Sequence, residues 1–201
     1  MANPNAPHGL NPVTSISGVA WTSVARLYRI PAADATAYAI GDVVKSATGS
    51  DVAGVTNVII AAAGDVCRGV IVGIVVAPTA QQNPVANQVP NLNNMTIPAT
   101  KTFDFYVYVV DDPLVIFEVQ CSNAVAMTVT SQNANLVTAA LGTSILSQTK
   151  LDNASIATTN TLQFKILGLV QRVTADKTAN APLLVLFNTH EFKSATGSTG
   201  V

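Results

Sequence analysis

The chain has 201 residues, room for one large β domain or two small ones, and only 10% of them are charged where a soluble domain usually carries roughly a quarter. A net charge of −1 and a pI near 6.0 exclude the basic face that neutralises phosphates, so direct nucleic-acid binding is not expected. Twenty-two threonines and sixteen asparagines stand where ions usually would. Such a neutral, hydrogen-bonding surface suits packing against copies or partners, because few ions must be desolvated when faces meet, and it suits catalysis poorly.

An apolar fraction of 49% and a mean hydropathy of +0.39 allow a core that needs no disulfide or metal staple. The longest strongly apolar run, 70–77, follows Arg68, ends at Pro78 and falls far short of the roughly 20 residues of a membrane helix, so it reads as a buried strand and no membrane partner is expected. The N-terminus lacks the basic start and apolar run of a secretory signal, which implies synthesis and retention in the cytoplasm, at least initially. Cys67 and Cys121 are too few and too far apart for a metal cluster and read as core fillers.

Residues 1–12 contain Pro4, Pro7, Pro12 and Gly9 and read as an extended N-terminal arm. From 13 to 192, short β-branched runs are punctuated by Gly, Asp and Pro. They predict strands at 24–30, 42–45, 56–61, 69–76, 103–110, 114–120, 162–170 and 183–188, with no sustained 3.6-residue period. The stretch 78–101 carries Pro78, Pro84, Pro90 and Pro98 among amides and reads as a long loop. There is room for a short helix within 123–136, and 193–201 reads as a flexible tail. The predicted fold is all-β: an antiparallel β-sandwich or barrel-like single domain with an extended arm, long loops and little helix.

The clearest local pattern is 103–121. Phe103, Phe105, Val107 and Val109 alternate with Asp104, Tyr106 and Tyr108, and after Asp111-Asp112-Pro113 a second row follows in Val115, Phe117, Val119 and Cys121. This predicts a hairpin with one apolar face.

Candidates for chemistry are few. His8 lies in the arm and His190 beside Glu191, without a Gly-x-Ser-x-Gly elbow. Asp111 and Asp112 are adjacent and point apart on an extended chain, so they read as turn formers. Gly69-Val-Ile-Val-Gly73 reads as a bulge or tight crossing inside a strand. Asn94-Met-Thr and Asn153-Ala-Ser are sequons expected to stay unmodified without secretion. No catalytic residue, cofactor or metal site is predicted, and the chain does not read as an enzyme. The binding candidates are Pro4, Pro7, His8 and Leu10, because a prolyl arm loses little entropy on docking, and Tyr106 with Tyr108, whose rings carry a polar tip. Fraying of the arm and packing of the tyrosines under a second layer are the alternatives.

Several segments in order resemble the structural cement, or head decoration, proteins of tailed bacteriophages. They are the opening Met1-Ala-Asn-Pro-Asn-Ala-Pro-His-Gly-Leu-Asn-Pro-Val13, Tyr38-Ala-Ile-Gly-Asp-Val-Val44, Gly69-Val-Ile-Val-Gly-Ile74, Val110-Asp-Asp-Pro-Leu-Val-Ile-Phe-Glu118, Leu151-Asp with Ala157-Thr-Thr, and Leu162-Gln-Phe-Lys-Ile-Leu-Gly-Leu-Val170. The resemblance implies a β-rich virion protein on the exterior of the capsid, made in the host cytoplasm, that bridges neighbouring copies of the major capsid protein and forms a homo-oligomer or contacts itself on the lattice. It carries over no catalytic residue. Competing expectations are another virion part, such as a tail or connector subunit, and a host-adhesion or carbohydrate-binding module, which the lone Trp21 supports poorly.

Overall fold

The computed structural model describes residues 3–22, 24–75, 95–172 and 175–201. Among the described residues fourteen strands follow in chain order: β1 (Asn11–Ser15), β2 (Arg26–Ile30), β3 (Tyr38–Ala39), β4 (Val43–Ser50), β5 (Thr56–Ile60), β6 (Gly69–Val75), β7 (Thr96–Ile97), β8 (Phe105–Val110), β9 (Val115–Gln120), β10 (Asn133–Ala134), β11 (Leu136–Val137), β12 (Lys150–Leu151), β13 (Phe164–Leu169) and β14 (Pro182–Phe187). Among the described residues there is no α-helix, only single 3-10 turns at Met127–Val129 and Asn153–Ser155. The first falls inside the stretch where the sequence leaves room for a helix. The protein is all-β, as its composition predicts.

Two five-stranded units carry the fold. One is a closed barrel in the order β2-β5-β4-β6-β8, and the other is a sheet in the order β1-β9-β14-β13-β10. Pairing is antiparallel except at β2 and β5, which run parallel where Arg29 faces Asn57. Closure abolishes the barrel's edges and with them the risk of strand addition there.

Each unit is built on period-two alternation. In β8, Phe105, Val107 and Val109 point into the barrel, where they meet Tyr28, Ile30, Val44, Val58, Ile71 and Ile74. In β9, Val115, Phe117 and Val119 enter a second cluster with Phe164, Ile166, Leu183, Val185 and Phe187. Val43, Ala61, Cys67, Val70 and Val110 of the barrel belong to that second cluster too, so it joins the two units. Cys67 and Cys121 are both buried within it.

The predicted hairpin of 103–121 does not form. β8 pairs with β2 and β6, whereas β9 pairs with β1 and β14. The segment Asp111-Asp112-Pro113 passes the chain from barrel to sheet, with the Leu114 amide donating to Asp112 Oδ1. Alternation fixes which side chains share a face, but both strands find better-matched neighbours far along the chain. Phe103 lies outside β8 and is exposed, stacked on Phe105.

Other boundaries shift modestly. β4 extends to Ser50 and β1, β3, β7 and β10 to β12 were not predicted; all but β1 are two-residue pieces too short for a period to register. The register of β6 against β8 slips between Ile71 and Gly73, the bulge expected of glycine in a strand. Of the predicted loop 78–101, positions up to 94 lie outside the described residues, as does Val76 at the end of the predicted strand 69–76. The tail 193–201, expected to be flexible, is fastened: Gly197 and Gly200 amides donate to Asn160 and Thr158 carbonyls, and Lys165 Nζ donates to the Thr199 carbonyl. No helix among the described residues is long and apolar enough to cross a membrane.

Candidate interaction surface

The N-terminal arm is laid along its own chain. Asn3 is buried, its Nδ2 donating to the Asp176 carbonyl at 2.7 Å and the Ala179 carbonyl at 3.2 Å, while its Oδ1 accepts from the Asp176 amide. Gln120 Nε2 donates to the Pro4 carbonyl at 2.9 Å, and the Leu10 amide donates to the Gly41 carbonyl. Gly9 and Gly41, both at positive φ, cross so closely that a Cβ on either would stand 2.3 Å from a backbone oxygen, that of Gly41 or of His8. Only glycine tolerates both the conformation and the approach.

The predicted binding residues therefore separate. Pro4 is exposed and Pro7 and His8 are half-buried on the outer side of the arm, but Leu10 is 3% exposed and belongs to the core. In the isolated chain its side chain faces the core, beside the Gly9–Gly41 crossing. Tyr106 is nearly buried in the barrel wall, its hydroxyl donating to Asp51 Oδ2 at 2.7 Å. Burial and that bond push the phenol up to about 12, and the bond locks the β4–β5 turn, where Asp51 Oδ1 also accepts from the Ala53 and Val55 amides. Tyr108 is half-buried on the same face of β8, against Gly73. The tyrosines thus belong to the barrel and do not join the arm.

What continues the arm outward is a segment without a single Asp, Glu, Lys or Arg from residue 1 to 25. β1 lies at the edge of the sheet, and its free side is covered by the chain folding back, with the Ser15 amide donating to the Val19 carbonyl and Thr14 bridging Ala20. The Ile16 amide donates to the Leu114 carbonyl. This brings Ile16, Val19 and Leu114 together at 56%, 61% and 46% exposure, with Val13 and Val24 exposed nearby in the chain. The absence of charge over twenty-five residues was the signal for it in the sequence.

Beside this surface, Glu118 sits between His8 (3.9 Å) and Arg172, which hydrogen-bonds it closely. Two hollows of about 410 and 470 Å³ flank the arm and share these three residues; Trp21 lines the first, its indole N–H donating to the Val24 carbonyl. A larger cavity of about 870 Å³ is lined by alanine, threonine and residues 138–145. Among the described residues Asp42 is its one ionisable lining residue. Burial raises that carboxyl's pKa, and it is already used by Ser147, Thr149 and the Ala39 amide as donors. Among the described residues no three His, Cys, Asp or Glu converge as a metal site.

The densest set of charged groups ties the C-terminus to the barrel, an arrangement that separation in sequence concealed. Glu191 accepts from the Ser46 amide and hydroxyl at 2.7 and 2.6 Å and pairs with Arg68 at 3.1 Å. Arg68 donates to the Tyr28 hydroxyl, which donates to Asp111, itself 3.4 Å from Arg26. Asp111 is thus more than a turn former, while Asp112 is that. Each group is consumed by its neighbours, so the network holds structure together and exposes no free base or nucleophile. Compared with known proteins, the chain matches no family model, no curated protein and no solved structure.

Proposed function

We propose that this chain is a non-enzymatic structural protein of a bacteriophage virion, a decoration or cement protein that binds the outside of the head and bridges neighbouring major capsid proteins. One observation carries the reading: the charge-free segment 1–25 presents Ile16 and Val19, beside Leu114, on a hydrogen-bonded hairpin at the sheet edge. Apolar, ion-free surface is what an interface core selects, since charged residues there must be desolvated. The sequence resemblance to head decoration proteins supplies the partner.

The mechanism is linkage. A protein that binds the assembled lattice and not free subunits stabilises the lattice by mass action, and many modest contacts per head sum to a large effect. Contacts with the genome are unnecessary, and the near-neutral net charge provides no drive for them. Electron microscopy of a phage particle containing the chain tests this. Density for the chain on the outer head, with 11–20 and Leu114 turned toward capsid protein, is the expected result. Density in the tail or connector, or no chain in the particle, overturns it.

A further inference from the structure

His190 is fully buried, its ring tilted against Phe187 at 5.0 Å and Phe192 at 5.8 Å. Its Nδ1 accepts from the Phe192 amide at 3.1 Å, so the proton of the neutral ring is on Nε2, which faces the Arg68 backbone without a well-formed hydrogen bond. The backbone around it closes a small clasp. The His190 amide donates to the Ser194 carbonyl and the Ser194 amide to the His190 carbonyl, both at 2.9 Å, and the Glu191 amide donates to the Cys67 carbonyl. From this clasp the chain runs on to Gly197 and Gly200, whose amides are held by Asn160 and Thr158.

We propose that His190 makes this C-terminal clasp acid-labile, so that mild acid raises the frequency with which the segment from 190 onward opens while the barrel stays folded. The closed clasp needs Nδ1 as an acceptor. A proton there would set an N–H against the Phe192 N–H and put an ion between two aromatic rings. The groups facing the imidazole are Arg68 and Cys67 from the β5–β6 connection, Asp111 after β8, and Glu191 beside it. Burial holds the imidazole below its ordinary value and Arg68 adds to this, whereas Glu191, Asp111 and the Arg68 backbone oppose it. Opening lets water solvate the ring and restores its ordinary value of 6.5. The open form therefore binds the proton more readily, and clasp stability falls as pH drops below about 6.5.

The test is amide hydrogen exchange of the whole chain at pH 7.5 and 5.0, corrected for intrinsic rates, comparing Glu191, Phe192, Ser194 and Gly197 with reference amides in β8. An open form titrating near 6.5 and a closed form that takes up no proton give a limit of about thirtyfold in the opening constant. A fivefold or larger loss of protection confined to the C-terminal amides, absent in His190→Asn, is expected, because the Asn carbonyl keeps an acceptor for Phe192 but cannot titrate. A smaller loss, or the same loss in His190→Asn, overturns the proposal. Should that variant fail to fold, NMR titration of the His190 ring in the unaltered protein decides: ring protonation should track loss of C-terminal protection. Protonation with those amides still protected overturns it.

Discussion

A Cβ placed on Gly69 would stand 2.3 Å from the Val110 carbonyl oxygen and 2.6 Å from Val109 Cγ1, so β6 passes β8 at a separation only glycine permits. Gly73, four residues on in the same strand, differs: its Cβ would meet Tyr108 Cδ2 at 3.5 Å, ordinary contact. Gly69→Ala must push backbone apart inside the joint between barrel and sheet and should cost about 3 kcal/mol. Gly73→Ala should change stability by less than about 1 kcal/mol, since the new methyl fits and restricts the unfolded chain. Urea midpoints of the two variants check the contrast.

Phe117 is fully buried, edge-on to Phe187 at 5.3 Å, in the cluster that joins the two units. Its truncation removes a large side chain from a site that neighbouring strands on both sides prevent from collapsing. Phe117→Ala should cost about 3 kcal/mol or more, lowering the melting temperature by roughly 6–12 °C for a chain of this size. An unchanged melting temperature would mean the ring is solvent-facing.

The same residue shows how far sequence reading reaches. The row Val115, Phe117, Val119 and Cys121 was legible as one buried face because side-chain alternation is a local property of extended backbone. Its partner was not: β9 pairs with Pro182–Phe187, more than sixty residues away, and no local pattern encodes that choice. For the same reason the network linking Tyr28, Arg68, Asp111 and Glu191 was invisible, since its members are drawn from four separate stretches. β1 was missed because Pro12 and the amides around it read as arm, though Asn11 to Ser15 pair with β9 from the edge. Proline is tolerated on an edge strand, so its presence demoted a real strand.

The arm is correspondingly part of the fold. Leu10 is in the core, Gly9 is wedged against Gly41, and Asn11 and Pro12 pair with Glu118 and Phe117. Deleting 1–12 should therefore lower the melting temperature by at least about 4 °C, given about 2 kcal/mol for the leucine alone and roughly 2–4 °C per kcal/mol. Deleting 1–7 keeps Leu10 and should have a smaller effect. Calorimetry of the two truncations orders them, and a full deletion as stable as the parent would show a detachable arm.

Burial works against the charge of Glu191, but the Ser46 donors and Arg68 outweigh it and hold the carboxyl below its usual 4.5. A folded-state value below the unfolded one means stabilisation that is complete above about pH 4.5 and lost as pH falls through the lowered value. Glu191→Gln should thus cost about 1–2 kcal/mol at pH 7. The gap to the parent should narrow as pH falls below 4.5, because the parent then loses what the variant never had. Urea midpoints at pH 7 and pH 3.5 test this, and a gap that widens in acid would contradict it.

Ile16 on the hairpin and Leu114 beside it are exposed, and this edge is held by backbone hydrogen bonds that their side chains do not supply. Replacing both with aspartate should leave the isolated protein's stability within about 0.5 kcal/mol per site. On the proposed function the same change puts two charges into the centre of a contact and should weaken binding to purified heads at least tenfold. The parent's binding should respond little to salt, because the docking segment 1–25 carries no Asp, Glu, Lys or Arg for salt to screen. Co-sedimentation with heads at 50 and 500 mM salt reads both effects. Strong release of the parent by salt would place the contact on charged residues elsewhere, and full binding of the double variant would remove this hairpin from it.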